Sequence, residues 1–68
     1  MNNLMPDKHE IGRRIAQARK DLNLTQTQLA NLLGFGKSRL SNWEMGWRTP
    51  KLNEAKLLEK HLQVAAGF

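Results

Sequence analysis

Thr25-Gln26-Thr27-Gln28-Leu29-Ala30-Asn31-Leu32-Leu33-Gly34-Phe35-Gly36-Lys37-Ser38-Arg39-Leu40-Ser41-Asn42-Trp43-Glu44 holds two helices and the corner between them. Thr25 with Gln28 three residues on is a capping box, in which each side chain satisfies a backbone N–H that the first turn leaves unpaired. It opens a short helix carrying Leu29, Ala30, Leu32 and Leu33, and Gly34 closes it, because glycine tolerates the positive φ of a sharp corner. Gly36 stands at the N-cap of the next helix without a side-chain oxygen to contribute. That helix is predicted from Lys37 to Met45, stopping at Gly46. Ala30 supplies a small side chain where the two helices must cross closely. Leu40 and Trp43, three apart, turn the later helix onto the core and leave Lys37, Ser38, Ser41, Asn42 and Met45 on its wet face. Two short helices with a three-residue, glycine-containing turn make a helix-turn-helix candidate.

Working outward, Asp7 and Glu10 give a capping-box-like start to a first helix. Ile11, Ile15, Ala18 and Leu22 recur at spacings of four, three and four, one face of a helix. Arg19 and Lys20 suit its negative C-terminal end, and Asn23 is a plausible left-handed stop. On the other side, Thr49-Pro50 predicts the start of a fourth helix, with threonine as cap and proline in the first turn. Leu52, Ala55, Leu58 and Leu62 form its expected core stripe. No stretch alternates with period two and no internal repeat or low-complexity run occurs. The fold class expected is therefore all-α, a compact bundle of four short helices, or five with the tail. Residues 1–6 are read as a flexible N-terminal segment and 7–62 as the domain. Residues 63–68 are read as a short C-terminal tail or the remnant of a fifth helix.

The chain has 68 residues, with 11 Lys+Arg against 6 Asp+Glu and a net charge of +5. One domain fits that length, and a multi-residue enzyme pocket is hard to build in it. Cysteine is absent, and His9 and His61 are too far apart in sequence for a convincing metal site, so neither metal nor cofactor is expected. Both histidines are read as surface residues. No apolar run reaches the roughly 18–20 residues of a membrane span, and no signal-peptide pattern is seen, so a cytoplasmic protein is expected. Residues 11–51 hold Arg13, Arg14, Arg19, Lys20, Lys37, Arg39, Arg48 and Lys51 against Asp21 and Glu44, a balance of +6. The flanks are balanced or slightly acidic. Cations concentrated in the folded middle of a chain point to a polyanion partner.

The run from Ile11 to Leu62 resembles the lambda-repressor-like (Cro/repressor-type) helix-turn-helix family. The resemblance is carried by Ile11-Gly12-Arg13-Arg14-Ile15, Arg19-Lys20, Leu24-Thr25-Gln26, Leu29-Ala30, Leu33-Gly34, Leu40-Ser41, Trp43-Glu44, Gly46 and Pro50. It implies a compact all-α bundle that binds operator DNA as a two-fold dimer and regulates transcription. Matched to the family's positions, Lys37, Ser38 and Asn42 would read bases, with Ser41 facing the same way. Lysine donates to guanine O6 and N7, and asparagine pairs bidentately with adenine. Gln26 matches a phosphate-holding glutamine at a helix N-terminus, where an anion is favoured. Arg39 and Arg48 are placed for phosphates, which fix register without reading sequence, and Gly36 could add only its backbone. Arg19 and Glu44 match a partly buried structural salt bridge. A catalytic role for Glu44 would lack a partner acid, nucleophile or metal cluster, so no enzyme is expected.

Trp43 is read as core. Trp47, in the loop that follows, could cover the core, touch the sugar-phosphate backbone or join a dimer contact. The family's full fifth helix, which often carries dimerisation, is replaced here by residues 63–68. Leu57, Val64 and Phe68, with Met5 and Leu4, are the apolar residues left for a dimer contact, and their small area predicts a homodimer that is weak without DNA. The segment Met1 to Pro6 has no basic residue for a minor-groove arm. The function expected is sequence-specific binding of double-stranded DNA, as a repressor of a symmetric prokaryotic or phage operator. Two rivals stay open. One is an antitoxin-like protein-interaction module, in which the Leu57/Val64/Phe68 surface masks a protein partner and DNA binding serves autoregulation. The other is non-specific nucleic-acid or RNA binding, for which the stacking aromatics are scarce.

Overall fold

A computed structural model describes residues 7–62. Four helices follow one another: α1 (Lys8–Asp21), α2 (Gln26–Leu33), α3 (Lys37–Glu44) and α4 (Leu52–Leu62). No strand occurs among the described residues. The first three helices begin and end for local reasons. The Asp7 carboxylate accepts the Glu10 amide at 2.8 Å, whereas the Glu10 side chain turns away to Arg13 and Arg14, so only half of a capping box forms at α1. Asn23 ends the helix in the left-handed region at φ 59°. The Thr25–Gln28 box at α2 is complete, with both bonds present at 3.0 and 2.8 Å. Gly34 takes φ 79°, and the amides of Gly34 and Phe35 turn back to the carbonyls of Asn31 and Ala30. Gly36 caps α3 without a side-chain bond, and Gly46 leaves it at φ 81°.

Ile15, Leu29, Ala30, Leu33, Leu40, Trp43, Leu58 and Leu62 form the core, with Ile11, Ala18, Leu24, Phe35 and Leu57 packed partly against it. α3 is held between α1 and α2, and α4 rests on α2 and α1. α1 and α3 approach closely at Gly12. A Cβ added to Gly12 would stand 2.5 Å from the carbonyl oxygens of both Trp43 and Glu44. Only a residue without a side chain lets the last turn of α3 lie there. Phe35 meets Trp43 edge-on, with ring centroids 5.7 Å apart and planes at 88°, a favoured aromatic geometry.

Four expectations are corrected. Thr49 and Pro50 lie in the connecting loop, and α4 starts at Leu52. Its first turn is fixed by Glu54, whose carboxylate accepts the Lys51 amide at 2.8 Å, while the Ala55 amide donates to the Lys51 carbonyl. A carboxylate reaching back at a helix N-terminus binds with the helix dipole, an advantage the Thr49 hydroxyl lacks. The buried face of α4 also differs from the expected stripe. Glu54, Leu58 and Leu62, spaced by four, point inward, and Leu52 is 74% exposed instead of core. Six residues before Leu58, Leu52 lies about 120° around the helix from it. Leu22 is also exposed, because the chain has left α1 by that residue and Leu24 takes its place against the core. His61 is half-buried instead of lying on the surface.

Candidate nucleic-acid interface

α3 presents its outer face because its inner face is fully used. Leu40 and Trp43 are buried, whereas Lys37, Ser38 and Arg39 are exposed and Ser41 and Asn42 are half-buried. Lys37 and Ser38 sit in the first turn, and Ser41 and Asn42 follow one turn on, so the four expected base-reading residues share one helix. Neither Lys37 nor Ser38 has a side-chain hydrogen bond to another described residue. Met45, exposed just past the end of α3, extends the same outer face. The Asn42 carbonyl accepts the amides of Trp47 and Arg48 at 2.9 and 3.2 Å, and this folds the following loop back over the end of the helix. Trp47 is 63% exposed, so it does not cover the core. Arg48 is exposed beside it.

Behind this face lies the network that fixes α3. Arg19 donates from Nε and Nη2 to the two Glu44 oxygens at 2.7 and 3.0 Å, a bidentate pair. Its Nη1 donates to the Leu24 carbonyl at 2.8 Å. Gln26 Nε2 donates to Glu44 Oε1 at 3.0 Å. The Arg19 and Glu44 side chains are 11% and 6% exposed. One carboxylate on α3 therefore ties together the end of α1, the α1–α2 turn and the first residue of α2. Gln26 meets this network with one end of its amide, which fixes the side chain at the N-terminus of α2. Gly36 and its neighbour Lys37 lie exposed where the N-terminus of α3 begins.

Arg39 is engaged in a different way. Its Nη1 donates to Glu54 at 2.9 Å, and its guanidinium stands 4.7 Å above the Phe35 ring. With Asn42, Trp43, Arg48, Thr49, Lys51 and Glu54 it lines an open cleft of about 420 Å³ between α3, the loop and α4. Glu54 was not singled out in the sequence. The signal available there was its place three residues after Lys51, the N3 position of a helix that starts later than Thr49-Pro50 suggests. Gly12 stands in the sequence only as part of a motif, and its contact with α3 has no signature in one sequence. Leu57 is half-buried against the core and so is only partly available to a second chain. Val64 and Phe68 lie outside the described residues, as do residues 1–6 and the rest of 63–68. Among the described residues no three His, Cys, Asp or Glu side chains gather to hold a metal, and no helix is long and apolar enough to cross a membrane.

The family model HTH_3, Helix-turn-helix, matches residues 15–68. The chain belongs to this lambda-repressor-like helix-turn-helix family. The class is one of DNA-binding transcriptional regulators and not of enzymes. Among solved structures, the chain is similar to SinR, the master regulator for biofilm formation, in complex with DNA. The two are 33% identical, the alignment covers 82% of this chain and 90% of that one, and the TM-score is 0.77. It is also similar to the restriction-modification controller protein C.AhdI from Aeromonas hydrophila, at 28% identity over 82% of this chain and 85% of that one, with a TM-score of 0.77. Comparison with curated proteins gives no match.

Proposed function

We infer that the protein is a repressor that binds a two-fold symmetric operator as a dimer, with α3 in the major groove. The observation that carries this reading is the outer face of α3. Lys37 and Ser38 are exposed without an internal partner, on a helix whose other face is locked by Leu40, Trp43 and the Arg19–Glu44 pair. A rigid helix with donors aimed at solvent suits base edges, and Lys37, Ser38, Ser41 and Asn42 supply the chemistry that distinguishes them. Gln26, Arg48, Arg39 and the Gly36 backbone surround that face and act on phosphates, which set register and most of the affinity. SinR, which is similar over most of its length, was solved bound to DNA, and this supports a duplex as the partner. A two-fold operator needs two recognition helices about 34 Å apart, one turn of DNA.

Selection of bound duplexes from a random pool tests the reading. The expected outcome is one enriched motif with inverted half-sites whose centres are about one helical turn apart. Recovery of no preferred sequence would reject the operator, and an enriched motif without inverted symmetry would reject the dimer.

A further inference from the structure

The cleft beside α3 holds three cations, Arg39, Arg48 and Lys51, and one anion, Glu54. Glu54 is unusual in its position. It lies on the same face of α4 as Leu58 and Leu62, its side chain is 11% exposed, and one of its oxygens is already used by the Lys51 amide. It cannot swing away into water without undoing the first turn of α4. Arg39 is the reverse case, 54% exposed along its side chain, with one nitrogen on Glu54 and the ring of Phe35 beneath its guanidinium. The donors that Glu54 leaves unused are accessible to an incoming anion. A duplex phosphate reaching them would have to share the guanidinium with a carboxylate that is fixed in place and already holds one of its nitrogens.

We propose that Glu54 sets the affinity of the protein for duplex DNA, its carboxylate competing with backbone phosphates for the Arg39 guanidinium. Arg39 then delivers less than a full charge to the DNA. The domain grips any duplex more weakly than its count of cations implies, while the base-reading residues of α3 are unaffected. This rests on the DNA-binding reading above and adds a residue to it, one that touches the DNA only through Arg39.

Glu54→Gln is the test. Glutamine keeps the volume and an acceptor oxygen for the Lys51 amide, so α4 retains its start, and the loss of charge is the main change. Affinity for selected and random duplexes alike is expected to rise by about three- to tenfold at low salt. The log–log salt slope should steepen by about one per chain, the signature of one more neutralised phosphate. The gain should vanish in an Arg39→Gln background, since it acts through that guanidinium. All four proteins are compared at a temperature where far-UV circular dichroism shows each one folded, which separates the effect from stability. An unchanged affinity in Glu54→Gln would overturn the proposal, and so would an equal gain with and without Arg39, which would mean simple repulsion through space. A parent protein without salt-dependent duplex binding would instead reject the DNA-binding reading on which the proposal stands.

Discussion

Removing the Glu44 carboxylate should strongly destabilise the fold, whatever it does to DNA binding. In Glu44→Ala the Arg19 guanidinium keeps only the Leu24 carbonyl, and Gln26 Nε2 loses its acceptor. Arg19 is 11% exposed and Glu44 6%, so the pair is not of the solvent-screened surface kind. Breaking a buried pair on one side typically costs about 3–5 kcal/mol, because the remaining charge is left without compensation. A chain of this length has a total stability of roughly 3–10 kcal/mol at the usual value per residue. Taking about 3 kcal/mol as the cost, and about 4–8 °C for each kcal/mol in a domain of this size, Tm should fall by about 12–24 °C. Thermal melts followed by far-UV circular dichroism measure it. Glu44→Gln, which keeps one acceptor, should fall between the parent and Glu44→Ala. Replacing both partners, as Arg19→Met with Glu44→Leu, should be milder than either single loss. A Glu44→Ala protein that melts within about 4 °C of the parent, a cost under about 1 kcal/mol, would refute the reasoning. If that protein also failed to bind DNA, the carboxylate would have a direct functional role.

Gly12→Ala should lower Tm, although alanine is the better helix former by about 1 kcal/mol. The new Cβ would stand 2.5 Å from two main-chain carbonyls of α3, and such overpacking costs about 1–3 kcal/mol; an equal or raised Tm would show that α1 and α3 separate freely. Duplex affinity should fall with salt at a log–log slope of about −3.5 to −5.5 for a dimer that neutralises about four to six phosphates, and a slope near zero would exclude the electrostatic account. Acid should destabilise the fold. The Glu10 amide bonded to the Asp7 carboxylate, and the Arg13 and Arg14 side chains bonded to Glu10, hold both acids below their ordinary pKa values. Their contribution is thus present above the ordinary carboxylate range near about 4 and is lost as pH falls through the lowered values. Asp7→Asn, which keeps a capping oxygen, should show a smaller drop in Tm on acidification than the parent, and an identical acid limb would remove Asp7 from the account.

Helix ends with side-chain chemistry were the legible part of this fold. Asp7, Thr25 with Gln28, Asn23, Gly34 and Gly46 each announce a cap or a stop whose cause is local, and the structure has all of them. The start of α4 is not legible in the sequence because two valid signals compete within six residues. Thr49-Pro50 satisfies the usual pattern, yet the Glu54 carboxylate gives the Lys51 amide a charge-assisted partner and the helix begins there. Leu52 faces outward because it lies about 120° around the helix from Leu58, and Glu54, four residues before Leu58, joins the buried stripe instead. At the α3 face, the assignment of residues to the wet side followed from Leu40 and Trp43 alone. What the spacing could not carry is which cations are already engaged. Arg39 and Arg48 look alike in sequence, but only the folded arrangement sets Arg39 against Glu54 of α4 and Phe35 of the α2–α3 turn. The same holds for Gly12, whose role depends on how closely α3 approaches.

The central claim is that the exposed face of α3 reads sequence, and Asn42 is the residue whose removal tests it. Asn42→Ala should relax the preference at one base position of each half-site, leave the other positions of the selected motif intact, and cost about 1–3 kcal/mol on the best site. Random-duplex selection with the parent and the variant side by side, both shown folded by circular dichroism, gives the answer directly. One motif column losing its information is the predicted result. An unchanged motif from a folded Asn42→Ala protein would contradict the account and move the reading face away from that side chain.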